Sequence, residues 1–509
     1  MKNRLIGVDI GSGGCKVIII DETGRILGRS YQEWPTYYRH PGWSEQEPSD
    51  WEKALSITMK MAMDSGRIKP AEIGAITFGS ATHSIVFLDE RDQILRPAIL
   101  WTDKRTIEQV DYLRMNYGEL IFEETLHSPN VNWTLPYLIW VREKEPDVWK
   151  KTKRILMPKD YIRLRLTGAW ATDPIDAVGT LLFNPRKREW SEKICNTFDI
   201  PLEILPPVLP PDHVAGVLNK ESAHILGLKE GIPVIVGTTD QASEAFGAGA
   251  IDPGQGIVKL ATAGNVATVT EAPHPDRSLV HSYLHLVAGQ WYMLTGTRSC
   301  AVCYRWLRDA FFEDLKALEK TEGTPSYACM DDMAAEVPLG SEGLIFHPHL
   351  QGASIEPRMR GNFVGITFRH TRAYFARSVL EGVAFSLLAA REKIGSLGIR
   401  ADNFRLIGGG SRSSLWQQIV CDVFGKEMIV PAVDDSSFGT AMLGGIAIGV
   451  FKDIREAVNR CVQYKQKLTP DSENHKIYQA LFDRYKEIEE ALVPTYRKLH
   501  EIKLPAPTI

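Results

Sequence analysis

The chain opens on an apolar run, Arg4-Leu-Ile-Gly-Val-Asp9-Ile10, that breaks at Gly11-Ser12-Gly13-Gly14-Cys15-Lys16 and resumes as Val17-Ile-Ile-Ile20. Short β-branched runs between glycines predict strands buried on both faces, so residues 4–20 are expected as a hairpin, with Asp21-Glu-Thr-Gly24 turning into a third strand. The same pattern returns at Gly256-Ile-Val-Lys-Leu260, Ala261-Thr-Ala-Gly264 and Asn265-Val-Ala-Thr-Val269, which suggests a pseudo-duplicated architecture. Between the two, Ala75–Phe78 and Ile85–Leu88 read as strands, and residues 135–149 and 160–166 as helices. A further helix starts near Trp51, with Ser49 or Asp50 to cap it. Val234-Ile-Val-Gly237-Thr-Thr-Asp240-Gln241, followed by small residues to Ala250, predicts a strand, a tight turn at Gly237 and a helix. Phe404–Ile407, the triplet Gly408-Gly409-Gly410 and Ser411 onward repeat that order. Phe438–Ala447 is expected as a small-residue helix suited to close packing, and the charged residues 465–503 as a solvent-facing amphipathic helix.

A chain of 509 residues is expected to hold two domains, taken as 1–249 and 250–509, and twelve tryptophans supply material for two cores. The net charge of −4 is spread over both signs, which excludes a nucleic-acid surface. Asp9 interrupts the amino-terminal apolar run, against a signal peptide, and no apolar stretch is read as membrane-spanning, so a cytoplasmic enzyme is expected. A homodimer is left open. The seven cysteines are odd in number and scattered, which argues for free thiols. Cys300 and Cys303 form a Cys-x-x-Cys without the second pair or histidines that zinc would want.

The candidate chemistry collects at the breaks between strands. In the first hairpin, amides and Ser12 can hold phosphate, Lys16 can add charge, and Asp9 at the mouth of the turn can hold a phosphate-bound Mg²⁺ through water. The plainer alternative is a hairpin that needs glycines only for its geometry. Asp240 is expected at the carboxyl end of a buried strand, where open α/β sheets bind ligands, and an N-cap is the competing role. His83, among small polar residues at a strand end, is a sugar-binding candidate against the commoner structural histidine. Trp101, Asp103 and Arg105 offer an aromatic face and polar groups for a polyol, against a salt bridge and a core tryptophan. Gly408 to Gly410 would let a flat ring lie on bare backbone, with a helix amino terminus favouring phosphate.

Taken together the chain resembles the sugar kinases that include xylulokinase, gluconokinase and glycerol kinase. The stretches that carry this are Asp9–Lys16, Gly42–Pro48, Leu95–Arg105, Pro158–Gly168, Gly237–Gln241, Gly361–Gly365, Leu380–Phe385 and Gly408–Ser411. The resemblance implies an α/β, actin/hexokinase-like fold of two ribonuclease-H-like domains, with ATP, Mg²⁺ and a small sugar in the cleft between them. It implies sugar binding and the catalytic base in the first domain and nucleotide binding in the second. Asp240 looks like the family's base, and His83 and Gln241 like sugar contacts, with Thr82 and Asp103 counted beside them. Ser12, Gly13 and Thr262 look like phosphate contacts, with Gly14, Lys16 and Gly264 beside them, and Gly408, Gly409, Gly410 and Ser411 like the adenosine platform. Trp101–Thr106, Lys159–Arg163 and Asp176–Phe183 look most like xylulokinase, whereas Ser80-Ala-Thr-His-Ser84 is nearer gluconokinase. Two departures are Ala261-Thr-Ala-Gly264, where the family usually has Gly-Thr-Ser-Gly, and Tyr137, where it commonly has Lys. D-xylulose is the expected sugar, gluconate or another ketose or polyol the alternative. A non-catalytic ATP-dependent switch or sugar sensor is the alternative of another class.

Overall fold

Each glycine-broken apolar run forms the hairpin its pattern predicts. Strands β1 (Arg4–Ile10), β2 (Gly14–Ile20) and β3 (Ile26–Glu33) are joined antiparallel. Every residue of β1 is buried, as a strand covered on both faces requires. Three later strands, β4 (Ile73–Ser80), β5 (Val214–Val217) and β6 (Pro233–Thr239), extend the sheet to the order β3-β2-β1-β4-β6-β5. β4 runs parallel to β1 and β6 parallel to β4, while β5 closes the edge antiparallel.

The second half repeats this plan with β7 (Gln255–Leu260), β8 (Gly264–Thr270), β9 (Trp291–Thr297), β10 (Asn403–Ile407), β11 (Glu427–Pro431) and β12 (Tyr464–Leu468). Their order is β9-β8-β7-β10-β11-β12, with β7 and β8 antiparallel, β10 parallel to β7, β11 parallel to β10 and β12 antiparallel. The duplication seen in the sequence as a pattern is therefore one of topology.

The computed structural model describes residues 3–277, 279–353 and 356–502. Met1–Ile251, Glu271–Tyr292 and Val433–Gln463 form one compact unit, and Asp252–Thr270, Met293–Ala432 and Tyr464–Ile509 the other. The late segment is integral to the first unit. Its helix Ser436–Ala447 lies so close to β1 that a β-carbon on Gly7 would stand 1.8 Å from the Ser437 carbonyl oxygen. A β-carbon on Gly439 would likewise stand 2.0 Å from the Ser243 carbonyl, which is why this helix is built of small residues.

Four local expectations are corrected. The helix at Trp51 begins at Pro48, and its cap residue Glu47 makes no side-chain cap bond, so Ser49 and Asp50 sit inside its first turn. Pro146 splits residues 135–149 into Thr134–Lys144 and Pro146–Lys151. The carboxyl-terminal charged stretch starts as β12, and its helix, Ser472–Glu501, buries Tyr478, Phe482 and Tyr485, while Lys503 lies outside the described residues. Arg372–Ser396 is long and apolar enough to cross a membrane, contrary to expectation, and 78 % of its most apolar window is buried in the protein, so here it is a core helix.

Candidate functional site

The end of β6 is where the first unit gathers its chemistry. Gly237 has φ +78 and sits at a bulge, where an added β-carbon would lie 1.8 Å from the Phe78 carbonyl oxygen. It therefore allows β6 to approach β4, and the expected turn falls two residues later. The Thr239 hydroxyl accepts the Ala242 N–H at 3.3 Å and caps the helix Asp240–Gly247. With the cap role filled by Thr239, Asp240 is left half-buried at the carboxyl end of the sheet, where its carboxylate accepts the Gln241 N–H at 2.8 Å.

His83 follows β4 and is held in a left-handed backbone conformation, φ +68. Its Nδ1 lies 2.8 Å from the Gly179 carbonyl and its Nε2 3.3 Å from the Tyr283 hydroxyl. The Trp133 ring meets it edge-on at 4.5 Å and stacks with Tyr283 at 6.3 Å, and Tyr283 stacks in turn with Tyr292 at 5.4 Å. Burial pushes the His83 pKa down to about 4, and that of neighbouring His281 likewise to about 4, so both rings are neutral at physiological pH. The two phenols are pushed up, first by burial and also by the nearby Asp240 charge. Nothing local in the chain marks Tyr283 or Tyr292, because they belong to Glu271–Tyr292, a segment of the second half that rejoins the first unit.

Behind this wall lies a buried charge network. Lys159 Nζ is 2.7 Å from Asp160, 2.9 Å from Asp173 and 3.3 Å from Asp176, and Arg163 pairs with Asp160 at 2.9 Å, all with side chains 0 % exposed. Thr82 donates to Asp176 at 2.8 Å, and Thr238 to Asp173 at 3.0 Å. The network thus joins the loop carrying His83 to the strand end carrying Asp240. Burial, ahead of the opposing Lys159 charge, raises the Asp176 pKa to about 7.

Two expected sugar contacts are bonded within the protein itself. Thr82 donates its hydroxyl hydrogen bond to Asp176. Asp103 is completely buried, and its oxygens accept the Ser44 and Arg105 N–H groups and the Arg105 guanidinium at 2.6–2.9 Å. Arg105 in turn stacks on Trp43 at 3.7 Å, so the structural alternative weighed for this pair is the observed one. Tyr137 is buried beside it, its hydroxyl 3.1 Å from the Leu100 carbonyl and 3.3 Å from that of Asp103.

In the first hairpin, Ser12 and Gly13 are exposed, and Ser12 Oγ accepts the Trp101 indole N–H at 2.8 Å. Gly14 is needed for packing, since a β-carbon would lie 2.5 Å from the Gln32 carbonyl. Asp9 is buried, and burial, more than any neighbouring charge, raises its pKa to about 6. Lys16 lies 3.9 Å from Asp9 and 3.7 Å from Asp435, while Asp9 Oδ1 has no hydrogen-bond partner. A buried carboxylate with an unused oxygen suits a hard cation, so Asp9 fits the Mg²⁺ role assigned to it. Among the described residues no three His, Cys, Asp or Glu side chains gather as metal ligands. All seven cysteines are free thiols as expected, and burial pushes Cys303 up to about 12.

The second unit brings Thr262, Gly409 and Gly410 together around a cavity of about 460 Å³, with Tyr304, Arg305, Asp331 and Trp416. Gly409 has open space over its α-carbon, whereas β-carbons on Gly408 and Gly410 would meet Leu260 at 2.8 Å. Gly264 and Ser411 support the loops from behind: a β-carbon on Gly264 would touch Leu387 at 2.8 Å, and the Ser411 hydroxyl donates to the Gly408 carbonyl at 2.7 Å. The glycines enter a 3-10 turn, Gly409–Arg412, and Ser413 caps the following helix at Trp416 N. That bond satisfies one of the free N–H groups at the helix start. Tyr304 and Arg305 directly follow Cys300-Ala-Val-Cys303 and carry no motif of their own. A larger cavity, about 720 Å³, lies in the first unit near Arg188, Val208 and Ile454 and is lined by none of the expected site residues.

The N-terminal-domain model of the FGGY family of carbohydrate kinases matches residues 4–247, and its C-terminal-domain model matches residues 260–448. The xylulose kinase of Staphylococcus epidermidis is 31% identical over 494 residues, taking in 96% of this chain and 97% of that one. The gluconokinase of Bacillus subtilis is 26% identical over 509 residues, 98% of each. The crystal structure of xylulose kinase from Rhodospirillum rubrum aligns with a TM-score of 0.87 at 26% identity, over 97% of this chain and 100% of that one.

Proposed function

Since the chain belongs to the FGGY family of carbohydrate kinases, ATP-dependent enzymes with an actin/hexokinase-like fold, we propose that it phosphorylates a hydroxyl of a small ketose, D-xylulose foremost. The observation that carries this is Asp240 at the sheet end, relieved of capping by Thr239 and facing an aromatic and imidazole wall. A sugar hydroxyl is a poor nucleophile at neutral pH, and Asp240 accepts its proton as it attacks the γ-phosphoryl group. The first unit holds the sugar and the base, and the second unit holds the adenosine over Gly409 and Gly410. Ser12, Gly13 and Thr262 hold the phosphates, with Lys16 adding charge. Asp9 would hold Mg²⁺, which when bound neutralises charge on the phosphoryl oxygens. With ATP as co-substrate, the cytoplasm is the site of action.

Gluconate is the second reading, favoured by the stretch Ser80-Ala-Thr-His-Ser84 and by the gluconokinase likeness over the full chain. Coupled ADP release measured with xylulose, ribulose, gluconate, glycerol and erythritol decides between them. Turnover confined to gluconate would overturn the ketose reading, and ADP release indifferent to every sugar would overturn both.

The adenosine platform has its own test. Gly409 has nothing within 4 Å of where a side chain would go, so Gly409→Val is expected to fold normally while filling the space left for the base. Titration calorimetry with a non-hydrolysable ATP analogue should show affinity reduced about tenfold or more, the result of losing a well-packed contact of roughly 1.4 kcal/mol. Unchanged affinity in the folded variant would move the adenosine elsewhere.

A further inference from the structure

With the kinase reading above as its basis, we infer that the Gly179 carbonyl fixes the tautomer of His83 and thereby makes Tyr283 a donor to the ring that turns its acceptor lone pairs toward the sugar, which selects neutral, hydroxyl-bearing sugars and rejects sugar acids. The first step is the polarity of two hydrogen bonds. The Gly179 carbonyl can only accept, so His83 Nδ1, 2.8 Å away, carries the proton. Burial keeps the ring neutral, with its pKa down at about 4, so Nε2 is a bare lone pair. The Tyr283 hydroxyl, 3.3 Å from Nε2, must then be the donor. Both protons that could have been offered to a substrate are spent inside the protein.

What the Tyr283 hydroxyl presents to a ligand is therefore lone pairs, with the Asp240 carboxylate near enough to raise the phenol's pKa. The Thr82 hydroxyl likewise donates to Asp176. The cations of the network behind, Lys159 and Arg163, are paired with carboxylates and 0 % exposed. A sugar hydroxyl supplies the missing proton and satisfies those lone pairs. A carboxylate brings two more acceptors and a negative charge, and meets the Tyr283 oxygen and the like charge of Asp240. The Gln241 amide, next to Asp240 in the chain, can donate, and a neutral polyol can use it equally well.

The test combines kinetics with a direct view of the ring. In the wild-type protein, 15N resonances of His83 should show a protonated Nδ1 and a bare Nε2, and kcat/KM for the better of D-xylulose and D-ribulose should exceed that for D-gluconate by at least about 100-fold. In Tyr283→Phe, Nε2 loses its donor and its resonance should move, and the ketose KM should rise roughly five- to hundredfold with the KM for ATP unchanged. Gluconate used as readily as the ketoses, a proton on Nε2, or an unchanged ketose KM in Tyr283→Phe would each overturn the inference while leaving the kinase intact. ADP release that responds to no sugar would overturn the kinase reading and this inference together.

Discussion

Asp240→Asn is expected to leave a folded protein that still binds ATP but turns over sugar about 10²-fold or more slowly. Asn keeps the shape and can still accept the Gln241 N–H that Asp240 now accepts at 2.8 Å, so the helix start should stand. The cap that secures this turn belongs to Thr239, which the substitution does not touch. What is removed is the half-buried carboxylate at the end of β6 that would take a proton from an attacking hydroxyl. Coupled ADP release measures the loss, and calorimetry with an ATP analogue checks that nucleotide binding is kept. A variant holding more than about a tenth of wild-type turnover would sink the assignment of Asp240 as general base, since a mispositioned or redundant base is the only way to lose so little.

Lys159→Met should carry the largest stability cost of any conservative-sized change in the first unit, about 3–5 kcal/mol. The lysine is completely buried between Asp160, Asp173 and Asp176, and its removal leaves three carboxylates facing one guanidinium. Methionine fills much the same volume, so the effect reads the charge and not a cavity. Chemical denaturation should show the first unit's transition moved to lower denaturant. Since Thr82 and Thr238 hang on this network, the surviving folded protein should also show a raised sugar KM. A transition within about 1 kcal/mol of wild type would mean the three aspartates take up protons at little cost when the lysine is absent.

What could be read in advance was local in the chain. The hairpins at residues 4–20 and 255–270 announce themselves because apolar runs and glycines lie side by side, and Asp240 because it closes such a run. Gly237 was placed correctly as a special backbone position but given the wrong duty, since only the neighbouring strand shows that its missing side chain makes room for the Phe78 carbonyl. Asp103 was misjudged for a related reason. Its partner Ser44 lies 59 residues away, and a carboxylate promised to a distant backbone amide looks from the sequence like one available to a substrate. Tyr283 could not be found at all, because its meeting with His83 spans 200 residues and follows from topology. The positions of Lys159 and Asp176 were visible as family-like motifs, but the ion pairs that give them a purpose were not.

The return of Val433–Gln463 to the first unit sets an order of events during synthesis. The helix Ser436–Ala447 covers β1 so closely that Gly7 has no room for a side chain, and β1 is the central strand on which the whole sheet is aligned. When the ribosome has finished residue 251, that face of the sheet is still bare. About 200 more residues must follow, and at about 5–20 residues per second the uncovered apolar face waits roughly 10–40 s. The amino-terminal half thus keeps an apolar face uncovered until residues 433–463 are made, and it should not be obtainable as a soluble fragment ending near residue 250.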